Sequence, residues 1–265
     1  MADEEFTALR LDRDGPVLEL TLTRPELFNR FDDVLHAEFL RALRLIIDAR
    51  DVRAVVLASE GKVFSAGGDF DLIAEANSEP LVRRAIVDDA RRVMATLFDV
   101  PQPIVAAVQG AAMGLGATVA LACDAVVAGP EASLADTHVN LGLVAGDGGV
   151  VVWPAAAGML RARRHLLTGD PIDAATGLTL GLVTDLVDSR EDVVPAARAL
   201  AQRIAALPPL AVQGTKRALN RVTQQRSGEV LDLSLALEEA TLASRDVLEG
   251  IAAFRERRPG DYQGL

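Results

Sequence analysis

From Pro103 to Cys123 the chain carries no charged residue, and this run limits what it can fold into more than any other. A stretch of that length could cross a bilayer. Gln109 and the glycines at 110, 114 and 116 interrupt it, however. Such breakers divide it into a strand at Ile104 to Val108, a turn, and a helix that opens at Gly114. The expectation is a buried strand–turn–helix, with no membrane span. Half of the 265 residues are hydrophobic and a quarter are charged, enough to bury a sizeable core without metals or disulfides. The formal charge of −11 argues against a nucleic-acid partner, which needs a basic face. The single cysteine, Cys123, excludes an internal disulfide and fits a reducing, cytoplasmic setting. The first residues, Met1 to Glu5, are acidic and lack the basic-then-apolar order of a signal peptide.

Around the island the pattern alternates. Thr7 to Asp12 and Val17 to Thr23 flank Asp14-Gly15-Pro16 and read as a hairpin. Val34 to Ala49 has helical spacing, Arg53 to Ala58 is a β-branched strand, and Glu60 to Asp69 is a loop. A helix is expected from about Pro80 to Phe98, and strands at Asp124 to Ala128, Ser133 to Asp136 and Leu182 to Val187. Glu191 to Leu207, Ala211 to Gln225 and Glu229 to Arg245 read as helices, separated by Pro208-Pro209 and by Ser227-Gly228. The fold class is therefore α/β, with a core over residues 1–205 and a helical region over 206–265.

Few familiar catalytic devices are present. Gly114-Leu115-Gly116 opens a helix after a strand, but Val119 stands where a dinucleotide fingerprint needs its third small residue. His36, His138 and His165 lie far apart without metal-ligand spacing. Two small-residue segments remain: Phe64-Ser65-Ala66-Gly67-Gly68-Asp69 and Gln109-Gly110-Ala111-Ala112-Met113-Gly114-Leu115-Gly116. Each can serve as a tight turn beside a packed strand. Set side by side, they could instead aim two backbone N–H groups at one oxygen.

At these residues the chain resembles the enoyl-CoA hydratase/isomerase (crotonase) family. The similarity runs nearly end to end, from Arg24-Pro25 and Asn29 through both glycine segments, Ala122-Cys123-Asp124 and Leu141-Gly142-Leu143 to Ala253-Phe254-Arg255-Glu256-Arg257-Arg258-Pro259. The resemblance implies a spiral of ββα units with a C-terminal helical trimerisation region, and a homotrimer or hexamer. It implies an acyl-CoA thioester as substrate, with no metal and no cofactor beyond the CoA that the substrate carries. Its oxyanion-hole N–H groups fall on Gly68 and Leu115. CoA contacts fall on backbone around Leu27 and Ala66, and on Arg257, which also reads as one member of a solvated basic run.

The departures from the pattern are informative. Hydratases of the family use two glutamates, and the matching positions here are Thr118 and His138. Threonine is a poor base and is expected to line the acyl pocket; histidine titrates near neutrality and can act as acid or base. Asp147, in Val144-Ala145-Gly146-Asp147-Gly148-Gly149, is a substitute carboxylate, or the cap of a helix beginning near Val150. Asp136 could orient His138, and Asp69 could brace its glycine loop. The expected function is thus a hydratase-like acyl-CoA enzyme working through a thioester enolate, with His138 and Asp147 as acid/base candidates. The alternatives are an isomerase or other reaction of the family, or an acyl-CoA-binding protein without catalysis.

Overall fold

The computed structural model describes residues 5–265; the acidic start, Met1 to Glu4, lies outside them. The hairpin pairs β1 (Leu9–Asp14) with β2 (Val17–Leu22) and leads through a 3-10 turn at Pro25–Leu27 into α1 (Asp33–Asp48). Asp32 caps that helix, its side chain accepting the Leu35 N–H at 3.0 Å. Then follow β3 (Ala54–Ser59), β4 (Val63–Ser65), α2 (Phe70–Ser78), α3 (Pro80–Asp99), β5 (Ile104–Val108), β6 (Ala111–Met113) and α4 (Leu115–Leu121). Next come β7 (Ala125–Ala128), β8 (Ser133–Ala135), a 3-10 turn at His138–Leu141, α5 (Gly149–Ala157) and α6 (Met159–Leu166). The chain closes with β9 (Ile172–Asp173), α7 (Ala174–Leu180), β10 (Asp185–Leu186), α8 (Val193–Ala205), α9 (Pro209–Leu242) and α10 (Arg245–Glu256).

Two sheets wind together. One has the order β1-β2-β3-β5-β7-β10 and is parallel beyond the hairpin; the other has the order β4-β6-β8-β9. Three parallel strands of the first are each followed by a short strand of the second: β3 by β4, β5 by β6, β7 by β8. This is the expected spiral of ββα turns. The larger sheet is covered on both faces, as parallel sheets usually are. Val55, Leu57, Ile104, Ala106 and Val108 face the main core. Their alternates Ala54, Val56, Ala58, Val105 and Ala107 face α8, which meets them with Val193, Ala197, Ala201 and Ala205. Small residues on both sides let that helix lie close.

The uncharged island becomes β5, β6 and α4, with all of β5 and most of α4 buried. Among the described residues no helix is long and apolar enough to cross a membrane. Three local expectations need correction. The segment read as a loop up to Asp69 contains β4, and α2 follows it, because Asp69 caps the helix by accepting the Asp71 N–H at 2.7 Å. The stretch read as a turn between β5 and α4 contains β6; paired on both sides, three residues suffice for a strand. Ser227-Gly228 does not break the chain, for α9 runs unbroken through it. An interior glycine costs about 1 kcal/mol, and anchors on either side of it hold the helix. Asn220 donates to the Phe98 carbonyl at 2.8 Å, Arg91 pairs with Asp232 at 2.7 Å, and Leu231, Leu235 and Leu242 enter the main core.

Candidate active site

Strands β4, β6 and β8 are parallel neighbours, so their carboxyl ends open at one edge of the small sheet. Ligand sites in open α/β sheets form at such edges. Leaving there are Ala66-Gly67-Gly68 after β4, Gly114 and the start of α4 after β6, and Asp136-Thr137-His138 after β8. The first two segments interlock. Gly67 has φ +86°, and a Cβ on it would lie 2.6 Å from the Met113 carbonyl oxygen, so only glycine fits. Gly116 brings α4 onto Ser65, where a Cβ would come within 2.7 Å of the serine's own. Ser65 Oγ donates to the Asn29 carbonyl at 2.8 Å and accepts the Gly67 N–H at 3.2 Å. Asn29 Nδ2 in turn donates to the carbonyls of Glu60 and Val63.

The consequence is a pair of N–H groups on one wall. Gly68 and Leu115 line the same cavity, of about 70 Å³. Among the described residues no carbonyl or side chain accepts from either N–H. The Leu115 N–H also stands at the N-terminus of α4, where unpaired donors favour negative charge. At Ala66, Gly68 and Phe70 the cavity meets a groove of about 600 Å³, lined also by Leu27, Arg30, Asn140 and Arg255.

The opposite wall carries charge. His138 Nδ1 donates to Asp136 Oδ1 at 2.7 Å, and Nε2 lies 3.3 Å from Asp147 Oδ2 and 3.9 Å from Glu238 Oε1. Thr118 Oγ1 donates to Asp147 Oδ1 at 3.2 Å. His138, Asp147 and Glu238 all line the cavity, and burial shapes each of them. Burial pulls the His138 imidazole down, but Asp147 and Asp136 outweigh it and hold it well above its ordinary range. For Asp147 burial raises the carboxyl, and His138 with the hydrogen bonds from His138 and Thr118 brings it below the usual value. Glu238 has no such help. Burial pushes it up to about 8, with His138 pulling it down and Asp147 and Asp136 adding to the rise. At neutral pH the wall therefore sets an imidazolium beside the Asp147 carboxylate and keeps Glu238 as a protonated carboxyl. Asp136, His138 and Asp147 each bring a ligand atom within 4.8 Å of the others, as a metal site would. Both ring nitrogens already face carboxylates, so a cation would have to displace one of them.

Comparison with known proteins follows the same lines. A family model described as enoyl-CoA hydratase/isomerase matches residues 12–264. The chain belongs to that family. A 2,3-dehydroadipyl-CoA hydratase of Escherichia coli (strain K12) is 32% identical, the match covering 98% of this chain and 100% of the relative. A 1,2-epoxyphenylacetyl-CoA isomerase of the same organism is 30% identical, covering 94% and 95%. The solved structure of an enoyl-CoA hydratase/isomerase from Mycobacterium paratuberculosis has a TM-score of 0.89 at 34% identity, over 94% of this chain and 99% of that one. One relative carries a hydratase name and the other an isomerase name, so kinship leaves the reaction open.

Within this member of the family the expected residues fall as follows. Gly68, Leu115, His138 and Asp147 come together at the cavity, and Leu27 and Ala66 line the adjoining groove. Thr118 is fully buried behind Asp147 and does not line the cavity, so its hydroxyl serves the aspartate and not a ligand. Asp147 is not the N-cap residue, since α5 begins at Gly149 with Gly148 before it, but its carboxylate meets the Gly149 N–H of that first turn as well as His138 and Thr118. Asp136 holds His138. Asp69 caps α2 and pairs with Arg30 at 2.7 Å. Arg257 ends α10 as an exposed residue at φ +54°, and the groove wall near it is formed by Phe254 and Arg255. Glu238 was not anticipated. Its signal was there to find: Leu231, Leu235, Glu238 and Leu242 recur at helical spacing, which puts an acid on a buried stripe.

Proposed function

We propose that this protein binds an acyl-CoA thioester and moves a proton at the acyl carbons beside the carbonyl, through an enolate held by the Gly68 and Leu115 N–H groups. The observation that carries this is that two unclaimed N–H groups line one cavity with His138 and Asp147. A thioester oxygen between the two donors gathers negative charge as the neighbouring carbon loses a proton, or as its conjugated alkene is attacked. Donors fixed in advance, in a site that excludes water, stabilise that charge without reorganising. Asp147 is the base, kept ionised by His138 and Thr118. The adjoining groove takes the CoA. In a chain of net charge −11, that anion must be met by local donors, and Arg30 and Arg255 are at hand.

Hydration of a 2-enoyl-CoA is the first reading. Double-bond migration is the second, favoured because the charged wall is closed on itself and can shuttle a proton between two acyl carbons without an ordered water. A purely binding protein would have no reason to turn both His138 and Asp147 into the cavity. Crotonyl-CoA should lose its conjugated thioester absorbance if water adds, and a 3-enoyl-CoA should gain it if the bond migrates. Neither change, alongside calorimetric binding of the thioester, would sink the catalytic reading and leave a binder. A homotrimer or hexamer belongs to the same proposal, since Leu210, Leu219, Val222, Leu233 and Leu237 remain exposed along α9. Sedimentation at a single-chain mass would contradict it.

A further inference from the structure

The expected carboxylate pair is missing from the two positions where the family places it, yet two carboxyls still face the cavity. One is Asp147; the other is Glu238, which arrives from α9, a helix far along the chain. Glu238 is 6% exposed and, among the described residues, accepts no hydrogen bond on its side chain. The basic group facing it is His138, with Nε2 3.9 Å from Glu238 Oε1. The loop before α5 makes room for it: a Cβ at Gly146 would stand 2.6 Å from the Glu238 Cβ. A buried acid with no internal hydrogen-bond partner, lining the same small cavity as the Gly68 and Leu115 N–H groups and given room by a glycine, is placed for chemistry and not for stability.

We propose that Glu238 is the proton donor of the reaction and that His138 resets it from Asp147. This rests on the enolate reading above. In double-bond migration, the Asp147 carboxylate takes the α-proton. The C–H electron pair passes into the dienolate, whose oxygen is held by Gly68 and Leu115. The Glu238 O–H bond then breaks, its proton adds to the γ-carbon, and the enolate electrons return to form the conjugated thioester. Asp147 is left protonated and Glu238 ionised. His138 Nε2, which lies between the two, gives its proton to Glu238 and takes one from Asp147, so no net proton is consumed. Asp136 on Nδ1 keeps the ring aimed at both. Hydration uses the same cycle, with Asp147 taking a proton from water and Glu238 protonating the α-carbon.

Glu238→Gln separates the two half-reactions. In D2O the wild type should exchange the α-protons of butyryl-CoA, a saturated thioester that cannot be turned over, because exchange needs only the base and the N–H pair. The variant should keep that exchange within a few-fold. Its turnover of 3-enoyl-CoA or crotonyl-CoA should fall about 10²- to 10⁴-fold, the range for a lost general acid. The wild-type rate should also decline as pH rises past about 8, where Glu238 ionises beside His138, Asp147 and Asp136, and Glu238→Asp should retain part of the turnover with that same limb. Unchanged turnover in Glu238→Gln would overturn the proposal. So would loss of exchange together with turnover, since that is the mark of a structural role. Absence of exchange in the wild type would overturn the enolate reading itself, and this assignment with it.

Discussion

The two walls of the cavity are built by opposite means. The wall proposed to hold the anion is backbone: two N–H groups from segments that follow neighbouring strands, set by glycines at 67, 114 and 116. The wall proposed to handle protons is side chain: His138 from just after β8, Asp147 from the loop before α5, and Glu238 from α9. The first wall depends on geometry that any substituent disturbs, and it is indifferent to pH. The second depends on charge, and its members set one another's protonation. One fold can therefore keep its substrate handle fixed while its acid/base set is exchanged. In the proposed assignment both working carboxyls, Asp147 and Glu238, stand away from the positions occupied by Thr118 and His138.

The sharpest test of the charged wall is Asp147→Asn, which keeps the shape and removes the base. Turnover should fall about 10²- to 10⁴-fold, and α-proton exchange should fall with it, unlike in Glu238→Gln. Retained exchange would move the base elsewhere in the cluster. The matching test of the backbone wall is Gly67→Ala. The new Cβ meets the Met113 carbonyl in a left-handed backbone conformation, so the two segments must part. Losing one oxyanion donor costs about 10²- to 10³-fold in kcat. Unlike Asp147→Asn, the drop should be the same at every pH. A pH-dependent loss would mean that the walls are not independent.

The two walls also differed in how far the sequence revealed them. The two glycine segments were legible because their determinants are local, but spacing alone read each equally as a tight turn beside a packed strand, and only the resemblance named the Gly68 and Leu115 N–H groups. The spiral was legible only through resemblance, since β4 and β6 are too short to show a period. Of the charged wall, His138 and Asp136 were visible as a pair two residues apart, and their contact is real. Asp147 was visible but open to a capping role, which depended on whether the helix began one residue earlier or later. Glu238 was missed although it stands on an apolar stripe within an expected helix, because its partners His138 and Asp147 lie far away in the sequence.

A smaller effect is expected from Asp136→Asn, which acts through His138. One of the two carboxylates that raise the imidazole is removed, so its pKa falls toward the ordinary range. His138 contributes stability below its unfolded pKa that is lost as pH rises through the higher folded value. The variant should therefore lose that contribution at a lower pH than the wild type. Turnover at its optimum should drop about tenfold, as a relay with looser aim would, and the alkaline limb should shift to lower pH. A melting series across pH and a pH–rate profile check both. A tenfold drop with an unmoved limb would make Asp136 a packing residue only.

Thr118→Val distinguishes a residue that supports the charged wall from one that belongs to it. The hydroxyl is fully buried and donates to Asp147 Oδ1, on the side away from the cavity. Its removal takes one hydrogen bond from a carboxylate that keeps its contact with His138. A hydrogen bond of this kind contributes about 0.5–1.5 kcal/mol, so the loss in kcat should lie between about twofold and tenfold. The same bond lowers the Asp147 pKa, so the variant's aspartate should protonate at a higher pH, and the acid limb of the rate profile should move up. That limb shift, with a small rate loss, is what a supporting hydroxyl produces. A fall of more than 100-fold would mean that Thr118 handles a proton itself, and the family position it occupies would then have kept its catalytic role through a change of chemistry.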